Sequence, residues 1–211
     1  MPNLNATGLP EYRYCPLQSS DTIRLLRMVP SKPGSELAVE LYHFSLWSCP
    51  GYTALSYSWG DSKRETTVIC NGALINTTRS FYSLVDALRS QNLEGARPYY
   101  WIDQVCIDQQ NIPEREAQVR IMGNIYKNAH ACLVYLGEAT EDAVTAFYWA
   151  KKIASIGPAF LQYVLRWKGL ERHHLPPRDD PCWLTLQVGL PQRPWFHRTW
   201  VVQEVCLATK V

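Results

Sequence analysis

The sequence predicts an α/β fold: a mainly parallel central sheet flanked by helices, with an N-terminal β-hairpin and a helical insertion. Short β-prone runs alternate with amphipathic helical patterns up to residue 137, which is the order typical of such a sheet. The run HACLVYLG, residues 130–137, is continuously apolar, as expected of a strand that is covered on both faces. From 138 to 193 this regularity is lost, and several prolines argue against one long element there.

Two hairpins are predicted in the first 80 residues. The segments TIRLLRMV (22–29) and ELAVELYHF (36–44) flank a turn-rich PSKPGS and are predicted to pair. Asn71 and Gly72 stand between two short β-prone runs, and Asn-Gly is the strongest local signal for a tight hairpin turn. Between the hairpins, GYTALSY supplies a central strand that ends at Tyr57. Residues 1–14 carry little pattern and are expected to form a loose or peripheral arm, ahead of a domain from 15 to 211.

The helices are predicted from apolar residues that recur every three or four positions. The first helix has this spacing at Phe81, Leu84, Val85 and Leu88. A short strand ending near Asp103 precedes the second, which opens with Pro113 at its first position. Its predicted apolar side consists of Val119, Met122, Ile125, Tyr126 and Ala129. A third helix begins the insertion, with a stripe of Ala143, Phe147, Ala150 and Ile153. The final segment, WFHRTWVVQEVCLATK, is predicted to be helical throughout.

The composition excludes several classes of partner. The formal net charge is +2, from 21 basic and 19 acidic residues without runs, so the basic surface of a nucleic-acid-binding protein is missing. The N-terminal residues do not have the pattern of a secretion signal, and no stretch approaches the roughly 18 apolar residues that span a bilayer. The seven cysteines are odd in number and lie mostly in apolar strings, which indicates reduced thiols. We therefore expect a cytoplasmic protein that binds neither nucleic acid nor membranes.

Two aspartates follow the predicted central strands. SYSWGD places Asp61 just after the strand that ends at Tyr57, and WIDQ places Asp103 just after the next strand. Open α/β sheets bind ligands at the carboxyl ends of their strands, so both carboxylates are expected at one edge of the sheet. The alternative is that each aspartate caps a turn or the following helix.

A third acid, Glu204, lies in the apolar segment RTWVVQEVCLA. On a helix it shares a face with Trp200, four residues earlier. A carboxylate beside an indole is poorly hydrated, which suits a group that stabilises developing positive charge or acts as a base or nucleophile. The alternative is a surface glutamate paired with Arg198 or Lys210.

Three blocks of the sequence resemble the fungal heterokaryon-incompatibility (HET) domain. They are YTALSYSWGD, RPWFHRTWVVQEVCLA and, between them, WIDQVCIDQQNIPEREAQVRIMGNIYKNAHACLVYLG. The intervening VICNGALINTTRSFYSLVDALR matches as well, so the resemblance covers residues 12 to 209. Proteins of this family trigger programmed cell death when genetically different fungal cells fuse. The resemblance implies that role, together with an upstream incompatibility partner protein.

A weaker likeness, to Toll/interleukin-1 receptor (TIR) domains, implies a chemistry. ALSYSWGDS resembles their first strand and loop, and WIDQVCI resembles their second strand. TWVVQEV resembles the helix in which TIR enzymes carry a tryptophan and, four residues later, the glutamate that cleaves NAD. By this likeness Glu204 is the catalytic residue and Trp200 its aromatic neighbour. The nucleotide-facing loop would consist of Tyr57, Ser58, Trp59, Gly60 and Asp61.

The likeness implies NAD or a related nucleotide as substrate, with no separate cofactor. Trp200 or Trp59 would stack on a base, Asp103 or Asp61 would bind a ribose hydroxyl, and phosphates would meet helix N-termini or Arg115. The chain departs from the TIR pattern in two ways. It has the 138–193 insertion, and it lacks the strands that usually follow the last helix of that pattern. TIR-type enzymes commonly assemble, so a homo-oligomer is expected. Two alternatives stay open: a non-enzymatic self-association module, and a nucleotide sensor that does not turn its ligand over.

Other reactive residues are assigned structural roles. His173, His174 and Cys182 do not have the spacing of a common zinc site, so no metal is expected. Cys106 follows Asp103 but has no histidine nearby in sequence to activate it, and a buried thiol is predicted.

Overall fold

The computed structural model describes residues 8–31, 34–61, 63–91, 98–155, 176 and 179–211. The chain divides into two compact units, of which the first is Met1–Gly137 with Arg198–Val211 and the second is Glu138–His197. The predicted insertion thus corresponds to a unit with its own internal packing.

One seven-stranded sheet forms the centre of the first unit, in the order β5-β4-β2-β1-β6-β3-β7. Its strands are β1 (Thr22–Met28), β2 (Ala38–Ser45), β3 (Tyr52–Tyr57), β4 (Thr66–Cys70), β5 (Ala73–Thr77), β6 (Tyr99–Trp101) and β7 (Ala131–Tyr135). The predicted α/β fold is confirmed, and it is consistent with a flavodoxin-like or TIR-like arrangement.

The sheet is mixed. Strand β3 runs parallel to β6 and β7, and β2 runs parallel to β4. Strand β1 is antiparallel to both of its neighbours, β2 and β6, and β4 is antiparallel to β5. Two of these antiparallel pairs, β1–β2 and β4–β5, are hairpins, whose short connections require antiparallel pairing. Both predicted hairpins therefore belong to the central sheet, and each contributes an antiparallel pair of strands to it.

The second hairpin turn confirms the Asn-Gly prediction. Asn71 has a φ of 48° and Gly72 a φ of 79°, so both turn residues are left-handed. This backbone matches the twist of the two strands, and Asn and Gly adopt it at low cost. The Asn71 side chain also bonds both backbone groups of Leu41 on β2.

The described part of the first unit also contains four helices: α1 (Arg79–Gln91), α2 (Asp103–Cys106), α3 (Ile112–Asn128) and α6 (Val201–Cys206). The apolar face predicted for α1 is confirmed, since Phe81, Leu84, Val85 and Leu88 are all buried in the core. The Thr78 hydroxyl caps this helix by accepting a hydrogen bond from the Phe81 amide at 3.2 Å.

The buried face predicted for α3 is partly wrong. Val119 is 40% exposed, whereas Glu114 and Gln118 are buried beside Met122, Ile125 and Tyr126. The polar pair turns inward because it has partners on β1: Glu114 pairs with Arg24, and Gln118 donates to the Thr22 carbonyl at 2.9 Å. Pro113 is the second residue of α3 and not the first, because the helix begins at Ile112. The Asn111 side chain caps the helix by accepting a hydrogen bond from the Glu114 amide.

Two further predictions are corrected at the sheet edges. Strand β7 is an edge strand with Leu133 39% exposed, so it is not covered on both faces. The predicted N-terminal arm is not loose over its described part: Glu11 bridges to Leu74 on the opposite edge strand, and the Tyr12 amide donates to the Leu74 carbonyl at 2.8 Å.

The final segment is not one helix. A short 3-10 turn, Pro194–His197, precedes α6, which has only six residues. In the second unit, α4 (Glu141–Ser155) buries Ala143 and Ala146 with Leu190, and α5 is Pro181–Leu184. The stripe predicted for α4 is wrong at Phe147, which is 49% exposed, and the side chain of Ile153 lies outside the described residues. No helix in the described ranges is both long and apolar enough to cross a membrane.

Candidate functional site

A cavity of about 420 Å³ opens in the first unit, next to the carboxyl ends of β3 and β6. We call it the main cavity. Its walls come from the loop after β3, from α2 and the loop before α3, from one side of α3, and from the residues around the start of α6. The lining residues are Ser58, Trp59, Gly60, Asp103, Ile107, Gln109, Arg115, Val119, Met122, Arg198, Trp200 and Glu204.

The carboxylate of Glu204 is the most constrained group in this cavity. Only 2% of the residue is exposed. Arg198 donates to both carboxylate oxygens, at 2.9 and 3.1 Å, and the Ser56 hydroxyl donates to one of them. The alternative of a surface glutamate paired with Arg198 is therefore right about the partner and wrong about the surface. Arg198 and Ser56 thus hold the side chain in one orientation at the cavity wall.

Trp200 reaches the same cavity, as predicted, but its indole is exposed. It is the residue just before α6, and its carbonyl accepts the Glu204 amide at 3.1 Å. The residue is 48% exposed while lining the cavity. The indole is thus available as a flat surface at the cavity wall, whereas the carboxylate is held by Arg198 and Ser56.

Asp103 is the second carboxylate of the cavity. The Trp59 indole donates to both of its oxygens at 3.1 Å, and the Gln104 amide donates to one at 2.8 Å. Burial raises the pKa of this carboxyl to about 6; the Trp59 hydrogen bond and the Arg198 charge oppose the rise, and the Glu204 charge adds to it. Asp103 is also the first residue of α2, but the N-cap of that helix is Ile102, and the one amide that the Asp103 carboxylate accepts within the helix is that of Gln104.

The loop after β3 contributes three of its five predicted residues to the lining: Ser58, Trp59 and Gly60. Gly60 has a φ of +68°, and a Cβ there would lie 2.7 Å from the Ser80 hydroxyl, so only glycine fits without a shift. Tyr57 is buried under the loop, and its hydroxyl has no hydrogen-bond partner among the described residues. Burial, with the nearby Asp103 charge, holds the Tyr57 pKa well above its usual range.

Asp61 is separate from the residues that line the cavity. Its side chain is exposed, and its carboxylate lies 3.8 Å from the Lys63 ammonium and accepts the Lys63 amide at 3.2 Å. This is the turn-capping role. Arg115 does line the cavity and is exposed; its guanidinium donates to the Gln109 carbonyl at 3.4 Å.

Sequence reasoning missed several residues of the site. Ser56 and Gln109 were not considered, and Arg198 was considered only as a surface partner. An available signal was the polar Ser56 inside the apolar strand YTALSY, because an inward polar side chain needs a partner.

Cys106 is a structural group in the described part of the chain. The Cys106 thiol is buried, its sulfur accepts the Ile102 amide at 3.4 Å, and burial raises its pKa to about 12. A thiol with that pKa is not a nucleophile. The described ranges contain no group of three metal-ligating side chains. His173 and His174 lie outside the described residues.

Comparisons with known proteins match the region that builds the cavity. The family model described as heterokaryon incompatibility protein (HET) matches residues 52–204, which run from the start of β3 to Glu204. Heterokaryon incompatibility protein 6, OR allele, of Neurospora crassa is 29% identical over 93% of this chain and 34% of its own length. Vegetative incompatibility protein HET-E-1 of Podospora anserina is 24% identical over 77% of this chain and 9% of its own length.

The chain thus spans about a third or less of the curated relatives that it matches. No solved structure matches it. The family match covers well over half of the chain and includes β3, α2, α3 and the Glu204 helix, which together form the main cavity. The chain therefore belongs to the heterokaryon incompatibility (HET) family.

Proposed function

We propose that this chain binds NAD in the main cavity and cleaves the bond between nicotinamide and ribose. We propose further that this activity drives incompatibility cell death. The observation that carries the proposal is the Glu204 carboxylate, which is buried at the cavity wall and oriented by Arg198 and Ser56. A preorganised anion stabilises developing positive charge without reorganising in the transition state. The TIR resemblance assigns the same residue to this role.

The reaction needs little besides that anion. Nicotinamide is bound to ribose as a cationic pyridinium, so it leaves with the bonding electron pair as a neutral molecule. The ribose carbon becomes oxocarbenium-like, and a carboxylate beside it lowers the barrier as in glycosidases. Water then adds to that carbon and releases a proton, which gives ADP-ribose and nicotinamide.

Asp103 is suited to receive that proton. A base whose pKa lies near 6 is ionised at neutral pH and still basic enough to assist a water molecule. The exposed Trp200 indole offers a stacking surface for the nicotinamide ring, and Arg115 offers a cation for a phosphate.

The biological part of the proposal is supported by family membership. The relatives are named as heterokaryon and vegetative incompatibility proteins of two fungi, and this chain corresponds to a part of each. We infer that it acts in the cytoplasm as the effector portion of an incompatibility response, as a homo-oligomer under the control of an upstream partner protein.

The test is nicotinamide release from NAD by the purified chain, at high protein concentration and with a crowding agent to favour assembly. Glu204→Gln should lower the rate at least about 100-fold, because loss of one preorganised electrostatic group typically costs this much. Glu116→Gln, an exposed position on α3 outside the cavity lining, is the charge-matched control and should retain activity. Equal rates for the wild type and Glu204→Gln, or no release under any assembly condition, would refute the proposal.

One observation favours a second candidate, a non-enzymatic self-association module. The two-point pairing of Glu204 with Arg198 is also the geometry of an ion pair that only holds α6 in place. The two candidates differ in cells. When the chain is expressed in a fungal host, an enzyme loses killing in Glu204→Gln, whereas a recruitment module keeps it as long as that variant is folded.

A further inference from the structure

A second cavity, of about 360 Å³, lies beside the first one in the same unit. We call it the side cavity. It is formed by the N-terminal arm, the end of β5, the loop before β4 and the loop before α3. The side chains relevant here are Tyr12, Arg13, Arg64, Asp108 and Gln109. Its volume is within the range that binds a small ligand.

The two cavities meet at Gln109, which lines both. The Gln109 amide group donates to the Asp103 carbonyl at 2.8 Å, and its backbone carbonyl accepts Arg115 at 3.4 Å. The residue between the cavities is therefore fixed to two residues of the main cavity. Because one residue lines both, the two cavities are adjacent.

The side cavity combines an aromatic wall with two arginines, Arg13 and Arg64, and two carboxylates, Glu11 and Asp108. The Tyr12 ring packs edge-to-face on Tyr14, with centroids 5.0 Å apart, and apolar residues of β5 continue this wall. Arg13 is exposed and makes no hydrogen bond or ion pair with any residue that the structure describes. Arg64 is also exposed, and its hydrogen bond within the described ranges is a 3.4 Å contact with the Asn76 carbonyl.

This set of groups is complementary to adenosine monophosphate. An aromatic ring supports a purine base, arginines bind phosphate oxygens, and a carboxylate such as that of Asp108 accepts ribose hydroxyls. The main cavity supplies the carboxylates proposed to act at the other ribose of NAD.

We infer that the side cavity binds the adenosine-phosphate half of a dinucleotide, and that the site selects dinucleotides over mononucleotides. The inference rests on the proposed NAD-binding function, because the nicotinamide half is assigned to the main cavity. Gln109 is the point where the pyrophosphate crosses.

The direct test is adenosine monophosphate binding to the 211-residue chain, measured by titration calorimetry, since this probe needs no chemistry. The double variant Arg13→Ala/Arg64→Ala should weaken binding at least tenfold. Arg120→Ala removes an exposed arginine of α3 that lines neither cavity and should leave the affinity within twofold. Glu204→Gln should also bind adenosine monophosphate normally.

Each outcome separates this inference from the proposed activity. If adenosine monophosphate does not bind, or if Glu204→Gln weakens binding while the double arginine variant does not, the side cavity is not its site. Nicotinamide release can still be measured, and that result decides the activity alone. If NAD is cleaved, the double variant should raise KM for NAD at least tenfold and leave cleavage of nicotinamide mononucleotide unchanged. An equal effect on both substrates would overturn the inference.

Discussion

Among the residues that the structure describes, the cation paired with the buried Glu204 carboxylate is Arg198, whose side chain is 22% exposed. Removing that partner leaves a buried carboxylate with the Ser56 hydroxyl as its side-chain donor and without its paired cation. For buried ion pairs this typically costs about 3–5 kcal/mol. We therefore expect Arg198→Ala to lower the free energy of unfolding by about 3 kcal/mol, measured by urea denaturation.

Glu204→Gln should cost less than Arg198→Ala in the same experiment. A neutral amide still accepts the Ser56 hydroxyl, and the remaining guanidinium is partly open to water. If Arg198→Ala and Glu204→Gln destabilise equally, or if neither has an effect, the pair does not hold the anion as the contacts indicate.

Asp103 should make stability depend on pH in an unusual direction. Its folded pKa is about 6 against an ordinary value of 3.8, so the folded protein binds its proton more tightly than the unfolded chain. The contribution of this group therefore falls as pH rises from about 4 to 6, and it stays unfavourable above that. Asp103→Asn should stabilise the protein by about 1–2 kcal/mol at pH 7.5, a value that allows for partial solvent screening.

The stabilisation by Asp103→Asn should shrink as the pH is lowered to 4.5, where folded Asp103 is itself protonated. Unfolding curves of the wild type and the variant at several pH values give this difference directly, because the contributions of the other carboxylates are the same in both proteins. A constant difference across that range would contradict the raised pKa. Nicotinamide release should fall in the same variant, since a stabilising change that removes activity is characteristic of a functional site.

A site residue could be predicted from the sequence where a charged side chain interrupts or directly follows an apolar segment. Asp103 follows directly on a strand, and Glu204 interrupts an apolar segment; the structure brings both to the main cavity. The partners of Glu204 could not be predicted, because Ser56 lies 148 residues away in the chain and meets it only in the folded sheet. Asp61 has the same sequence signal as Asp103, but its turn directs it away from the cavity lining.

At the scale of elements, the β4–β5 hairpin depends on the backbone freedom of Gly72. A Cβ at Gly72 would contact nothing within 4 Å, so any effect of alanine comes from the φ of +79° alone. Left-handed backbone costs a non-glycine residue about 1–2 kcal/mol. Gly72→Ala should lower the free energy of unfolding by that amount in urea denaturation.

Gly51→Ala is the matched control for the hairpin turn. Gly51 also has open space around its Cβ position, but its φ is not in the left-handed region. Alanine there should be neutral, or stabilising by up to about 1 kcal/mol, because it restricts the unfolded chain. Equal losses at the two positions would mean that alanine acts through something other than the backbone of the turn.

Local signals were sufficient for the two hairpins and for α1, but not for every element face or boundary. The two hairpins and α1 were predictable because turn residues, a cap and apolar spacing all lie within each segment. The face of α3 was not, since its inward Glu114 and Gln118 look like surface residues until β1 supplies Arg24 and a carbonyl. The edge position of β7 was hidden for a related reason: strand order depends on the whole sheet.

At the scale of the whole unit, the Arg24 side chain connects β1 to four other parts of the chain. It is fully buried on β1 and pairs with Glu114 at the start of α3. It also donates to the Cys106 carbonyl at 3.1 Å, the Cys15 carbonyl at 2.7 Å and the His43 ring at 3.2 Å. Through these bonds one side chain holds Cys15, directly after the N-terminal arm. It also holds Cys106 and Glu114, which lie on either side of the 108–110 loop between the two cavities.

Arg24→Met should therefore destabilise the protein by about 3–5 kcal/mol, because it leaves Glu114 buried without a cation. The double variant Arg24→Met/Glu114→Leu should recover part of this loss, because it removes the unpaired buried charge, while the Cys15 and Cys106 carbonyls and the Asp108 amide still lose their partners. Urea denaturation of the single and double variants gives the coupling energy. Additive losses would show that the two side chains act independently. Because the double variant no longer anchors the 108–110 loop through Arg24 and Glu114, it should also bind adenosine monophosphate more weakly than the wild type.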